Sequence, residues 1–395
     1  MPADRSNRLS TLAVAIHSRL PLPLSTVLVI VGLAAATAFP LLRQLVTPDL
    51  LLSVLIPGLV FAAAYAIDWS DLRPVLMALV GLAIPGVLFS ALVVAVLLHL
   101  TIGLPFELAL VVGAITAATD PVAVVAAMAG LSVPTRLRTL VEGESLLNDG
   151  TGLVLFALAV RSAEGGLEAG QALGLFVGTI AASVASGVLG GLIAARLART
   201  TSRRSLQVVL TAVLAYGSYL VADGVGLSGI LATVIGAITL GSRMRQDPAL
   251  GQRVSEVESL WAWFAAALTS LTFLLIGVAI APNALIGVAT AILVGTLGVV
   301  GARATLVYLP AWLSTLRKDA RGAPRGWAHV LIWAGLRGAV ALAAALSIPE
   351  GFPERTSLQQ ISFGIILATL LVQGGTAPWV VRWALGQRTA STGSD

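Results

Sequence analysis

Twelve apolar runs, each 17 to 25 residues long and bounded by charge, proline or glycine clusters, follow one another along this chain with almost nothing between them. They are Leu24 to Leu42, Leu50 to Ile67, Val75 to Leu98, Phe106 to Gly130, Leu140 to Val160, Leu173 to Ala195, Leu206 to Ala222, Val225 to Gly241, Leu260 to Ile280, Leu285 to Leu309, Val330 to Ile348 and Ile361 to Leu385. A helix needs about 20 apolar residues to cross the hydrocarbon layer, so the pattern predicts an all-α polytopic bundle of about twelve spans. Composition agrees. Of 395 residues, 57% are hydrophobic and 11% charged, whereas a soluble domain carries about a quarter charged. No room remains for a soluble enzyme domain, and the eighth run is short.

The basic residues report orientation rather than an anionic or nucleic-acid partner, although the net charge is +5. With the N-terminus cytoplasmic, 19 of the 24 Lys and Arg fall on inside segments, and only Arg43, Arg161 and Arg355 fall outside. The last two, Arg303 and Arg337, lie within spans. A span missed in mid-chain would destroy this split, so both termini are placed in the cytoplasm, with the protein in the cell (inner or plasma) membrane. Residues 1–23 read as a cytoplasmic segment, since Arg19 and Pro21 interrupt any signal-peptide core, and 386–395 as a short cytoplasmic tail. Residues 24–385 read as a single transmembrane domain.

Two runs carry breaks at their centres: Thr119-Asp120-Pro121 in the fourth and Gly335-Leu336-Arg337-Gly338 in the eleventh. Proline removes a backbone donor and glycine relaxes the helix, so both are expected to unwind near mid-membrane. They lie seven spans apart and cross in opposite directions. That predicts an inverted repeat, roughly 24–160 against 225–385, with two crossed discontinuous helices meeting at the substrate site.

A mid-membrane carboxylate is costly and therefore has a partner or a purpose. Glu142, Glu144, Asn148 and Asp149 open the fifth run. At about 100° per residue, Ser145 and Asp149 share one helix face and Glu144 and Asn148 another. With Thr119 and Asp120, the Ser145/Asp149 face offers hard oxygen ligands for a dehydrated monovalent cation, and the same carboxylates can hold a proton instead. A site that takes either but not both exchanges them. Arg303 finds its natural carboxylate in Glu144, and a salt bridge satisfies both, so this pair reads as structural. Arg337 is placed to meet exposed carbonyl ends in its own broken helix. Glu142 is expected at the solvated cytoplasmic edge. His17, His99 and His329 are read as interfacial, the tryptophans as interface anchors, and Gly187 to Gly191 as close helix packing.

The stretches ITAATDPVAVVAAMAG (Ile115 to Gly130), VEGESLLNDG (Val141 to Gly150), WAGLRGAVAL (Trp333 to Leu342) and GARATLVYLP (Gly301 to Pro310) resemble the signature helices of the sodium/proton exchanger family of monovalent cation/proton antiporters. The resemblance implies a homodimeric antiporter for sodium transport and pH homeostasis. Asp149 would be the essential carrier, with Asp120, Asn148, Ser145 and Thr119 around the ion. Glu144 would pair with Arg303, and Arg337 would stabilise the crossed helices. Asn148-Asp149 resembles the electroneutral branch. The chain departs from the family at Phe61-Ala62, where members often carry Phe-Glu, and Asp68 is no obvious stand-in. That leaves Na+, Li+ and K+ open. The chain also reads as short of the family's first helix and long regulatory tail.

Other classes fit less well. A channel needs a continuous polar pathway rather than one cluster at a helix break. A membrane-embedded enzyme has no HExxH pair, Asp-rich or Gly-x-Ser-x-Gly motif here, no cysteine and three scattered histidines; no cofactor is implied. The alternative is a proton-coupled symporter of a small organic solute, which would want more polar groups in its cavity.

Overall fold

A computed structural model describes residues 23–129, 131–200, 203–247, 251–316 and 325–386. Among them there is no strand, and each apolar run lies on a helix or a pair of half-helices. In chain order these are α1 (Leu24–Ala38), α2 (Leu50–Ala66), α3 (Trp69–Ile102), α4a (Phe106–Ile115) with α4b (Val122–Met128), α5 (Thr135–Ala163), α6 (Ala169–Ala198) and α7 (Arg204–Gly224). Then follow α8 (Gly229–Gln246), α9 (Gly251–Ala279), α10 (Ala289–Leu316), α11a (Arg325–Trp333) with α11b (Ala339–Leu346), and α12 (Arg355–Ala384). Seven of the described helices are long and apolar enough to cross a membrane, and α1, α2 and α4a are shorter apolar helices. The protein is a multi-pass membrane protein.

Local chemistry sets the ends. Asp68 opens α3 by accepting from the Ser70 amide at 2.8 Å, and Gly103, at φ 70°, closes it in the left-handed conformation with its amide on the His99 carbonyl. Pro85 sits inside α3 without breaking it, because the turn Leu82–Gly86 widens to absorb the missing donor. Ser228 caps α8 through the Leu231 amide at 3.3 Å.

Several boundaries differ from the hydropathy pattern. The fifth run was expected from Leu140 and the ninth from Leu260, yet α5 begins at Thr135 and α9 at Gly251. The extra turns carry Arg138 and Glu258, which polarity alone assigns to loops. The short eighth run, expected at Val225 to Gly241, is the 18-residue helix Gly229–Gln246, and Arg243 and Arg245 are its last turn. Residues 1–22 and 387–395, with Arg5, Arg8, Arg19, Arg317, Lys318, Arg321 and Arg388 of the orientation argument, lie outside the described residues.

Packing pairs distant parts of the chain. α1 runs against α9, and α2 against α8. The α1–α9 seam is backbone on backbone: a Cβ added at Gly32 would stand 2.1 Å from the Leu274 carbonyl oxygen, and one at Gly277 2.1 Å from that of Val29. Between helices in lipid, such close approach supplies the dispersion contacts that the hydrophobic effect cannot. On the other side α10 packs on α3, and α4 and α11 meet in the middle against α5 and α12.

Candidate functional site

α4a stops after Ile115, where Thr116 turns its hydroxyl back onto the Val112 carbonyl at 2.8 Å, and residues 117–121 leave the helix. α4b restarts at Val122, whose amide donates to Asp120 Oδ1 at 3.0 Å. Residues 334–338, after Trp333, likewise leave the helix before α11b begins at Ala339. The two unwound segments cross, and the Asp120 amide donates to the Leu336 carbonyl at 2.8 Å, the one β-bridge among the described residues. Gly338 permits the crossing. A Cβ there would lie 2.1 Å from Asp120 Oδ2 and 2.7 Å from its Cγ. Four half-helix ends therefore converge on Asp120, two presenting free amides and two presenting free carbonyls.

α5 passes beside this crossing and divides its polar groups by face. Ser145 donates its hydroxyl to the Thr119 carbonyl, tying α5 to the unwound segment. One turn on, Asp149 faces a cavity of about 570 Å³ that it shares with Asp120, Ser145 and Ala62, enclosed by α2, α4, α5, α9 and α11b. Asp149 makes no hydrogen bond or ion pair with another described residue. Most of the remaining lining is aliphatic, and the cavity reaches Arg138, Glu142 and Glu258. Arg138 is exposed and bonds Glu142 at 2.9 Å, so this end is the mouth. Glu258 is held by Arg245, which also donates to the Tyr65 and Ile67 carbonyls at the end of α2.

The opposite face of α5 carries a buried polar network. Arg303 donates two hydrogen bonds to Glu144, at 2.5 and 2.7 Å, and a third from Nε to the Leu331 carbonyl at 3.0 Å. Asn148 donates its amide to Glu144 and, at 3.4 Å, to Thr119 Oγ1. Arg337 donates to the Gly335 carbonyl at 2.9 Å, inside its own broken helix. The site residues thus separate. Asp149, Asp120 and Ser145 line the large cavity together. Thr119 reaches them only through its carbonyl, because its side chain, like Asn148, borders a pocket of about 10 Å³ beside Arg303 and Arg337.

Chemically the cavity wall holds four carboxylates, of which Asp120 and Asp149 stand at the broken helices and Glu142 and Glu258 at the mouth, and the hydroxyls of Ser145, Thr269 and Thr272. Among the described residues no cluster of three His, Cys, Asp or Glu exists for a resident divalent metal. The oxygen set suits a monovalent cation that comes and goes.

Residues 9–383 match the family model described as sodium/hydrogen exchanger, transmembrane. The chain belongs to this family. Among similar exchanger-family proteins are the Na(+)/H(+) antiporter ApNhaP of Aphanothece halophytica, 38% identical over 91% of this chain and 69% of that protein, and the Na(+)/H(+) antiporter NhaP of Pseudomonas aeruginosa, 31% identical over 88% and 84%. The solved structure of the sodium proton antiporter MjNhaP1 from Methanocaldococcus jannaschii at pH 8 has the same fold, with a TM-score of 0.73 over 95% of each chain at 20% identity.

Within this exchanger fold, sequence reasoning missed the mouth. Glu142, expected at a solvated edge, is half-buried in the cavity wall, and Glu258 and Arg245 come from helices whose ends polarity misplaced. An i, i+4 reading of Arg138 and Glu142 would have found one of these pairs; nothing in the order of residues signals that Glu258 faces them. Ala62 does line the cavity, so the family's missing carboxylate would have stood in this same wall.

Proposed function

We propose that the protein is a secondary active transporter that exchanges a monovalent cation, Na+ or Li+, for H+ by alternating access. The observation that carries this reading is the unpartnered Asp149 carboxylate in a cavity otherwise lined chiefly by aliphatic side chains, beside Asp120 and the Ser145-tethered Thr119 carbonyl. A charge left without a protein partner at such depth costs several kcal/mol, so an exchangeable cation or proton is its counterpart. Only a neutralised site crosses the barrier cheaply, which couples the two fluxes. Relatives named Na(+)/H(+) antiporters support the substrate pair. No cofactor is required.

Asn148-Asp149 supports electroneutral exchange: Asn148 is spent on Glu144 and Thr119, which leaves Asp149 as the one carboxyl of α5 in the cavity's inner part. The moving body is α4, α5 and α11 with the helices on them, working against α1, α2, α8 and α9. The inverted repeat 24–160 and 225–385 is supported by the pairing of α1 with α9 and α2 with α8, one relation written twice with the halves exchanged. The mouth at Arg138 and Glu258 lies on the basic, cytoplasmic side, so this conformation is inward-open. A homodimer in the cell membrane, with both termini cytoplasmic, completes the reading. A symporter of an organic solute would need more polar contacts than this largely aliphatic cavity offers.

The test is reconstitution into liposomes with a trapped pH dye and an imposed proton gradient, adding Na+, Li+ or K+ in turn, beside Asp149→Asn. Collapse of the gradient by Na+ or Li+ in the native protein alone, insensitive to valinomycin-clamped voltage, supports the proposal. No response to any cation from folded protein overturns it.

A further inference from the structure

A second cavity, of about 610 Å³, is lined by none of Asp149, Asp120 and Ser145. It lies between α3, α5, α6 and α8, and Leu72, Leu76, Ile84, Val184, Leu231 and Ile238 are typical of its wall. Its hydroxyls are already spent. Thr151 and Thr239 bond back to carbonyls of their own helices, and Ser242 accepts from the Trp69 amide at 2.9 Å. An ion or polar solute would find nothing to bind inside. Polarity is confined to one end, where Trp69, Arg243 and Gln246 stand, and no acidic side chain lines any part of the groove. Arg243 is exposed and makes no hydrogen bond or ion pair with a described residue, whereas Arg245, two positions on, is fully engaged by Glu258 and the end of α2.

Two dimensions identify the occupant. Along α8 the lining runs from Leu231 to Gln246, about 22 Å at 1.5 Å per residue. One leaflet with its headgroups is about 20–22 Å thick, half of the full bilayer. Sideways, the groove is open to hydrocarbon, since its lining residues Val80, Val188 and Leu192 are 39%, 37% and 39% exposed. A deep apolar slot one leaflet long, open along its side and ending in a free guanidinium beside an interfacial tryptophan, has the shape and charge of a phospholipid site.

We propose that this groove binds one anionic phospholipid from the leaflet on the Arg243 side, with an acyl chain between α3 and α6 and its phosphate on Arg243. The floor of the groove is Gly143, Leu146, Leu147 and Thr151 of α5, so the lipid packs on the back of the helix whose other face carries Asp149. It bridges α3 and α5 to α6 and α8. Under the antiport reading these pairs shift relative to one another, and a lipid that fits this arrangement holds the population in it. The binding site itself does not depend on that reading.

Native mass spectrometry of the full chain in detergent, titrated with phosphatidylglycerol or phosphatidylcholine, tests the proposal. The native protein is expected to retain one phosphatidylglycerol with at least about tenfold preference. Arg243→Gln should abolish the preference, and Val188→Trp, which fills the slot, should abolish retention of either lipid, both variants melting as the native protein does. Equal retention of the two lipids by native protein, or unchanged retention in both folded variants, overturns the site. Should the groove-filling variant not fold, quenching of Trp69 by brominated phosphatidylglycerol, read as the difference from Trp69→Phe, decides the matter. The quench must disappear in Arg243→Gln; its persistence there refutes the proposal.

Discussion

Replacing Arg303 with methionine strips Glu144 of both guanidinium hydrogen bonds, at 2.5 and 2.7 Å, while the carboxylate stays 0% exposed. Only the Asn148 amide would still meet it. Breaking a buried pair on one side strands a charge and costs about 3–5 kcal/mol. Glu144→Gln strands Arg303, itself 4% exposed, at a similar cost. The double variant removes both charges and keeps an acceptor for Asn148; its main loss is the hydrogen bond to the Leu331 carbonyl, about 1 kcal/mol. Two singles of about 3 kcal/mol each beside a double of about 1–2 give a coupling of about 4 kcal/mol. Reversible unfolding in mixed detergent and SDS micelles measures all four corners of the cycle. Additivity within about 0.5 kcal/mol would refute the assignment of Glu144 and Arg303 as a mutually dependent buried pair. The same double variant, assayed in liposomes, should still exchange; if it is folded and inactive, the pair takes part in transport.

Gly338→Ala should push Asp120 off the crossing, lowering stability by about 1–3 kcal/mol and abolishing exchange, read by melting and by the dye assay. Ser145→Ala releases the Thr119 carbonyl and should raise the half-saturating Na+ concentration about tenfold, with the fold intact by circular dichroism. Ala62→Glu has room in the cavity wall and should lower that concentration at alkaline pH; no change would mean that α2 does not reach the ion. Because one carboxylate site takes either ion, the half-saturating Na+ concentration should rise about tenfold per unit fall in pH along the acidic limb, by mass action. A constant value in flux measurements would exclude competition at a shared site.

The chain announces its helix breaks because proline and glycine act locally: Pro121 cannot donate, and Gly335 and Gly338 free the backbone of α11. The division of α5 into a Ser145/Asp149 face and a Glu144/Asn148 face follows from helical period alone. Residues that act across helices are less legible. Asn148 carries the right chemistry for an ion ligand, yet its side chain borders the small pocket beside Arg303 rather than the large cavity, and only the packing of α5 among its neighbours decides that. Glu258 reads as a loop charge until α9 is seen to extend two turns beyond its apolar run. The aliphatic groove at Arg243 is invisible in sequence, since its wall residues are indistinguishable from any others that face lipid.

The bridge between Asp120 and Leu336 also constrains how the protein is made. Leu336 is synthesised 216 residues after Asp120, about 10–40 s later at 5–20 residues per second. Throughout that interval the Asp120 amide has no Leu336 carbonyl to meet, and of the two only its carboxylate has a local partner, the Val122 amide. Faults in the second half of the gene would then appear as degradation of the first, and pulse-chase proteolysis of nascent chains truncated before and after residue 338 would follow the moment at which the crossing becomes protected.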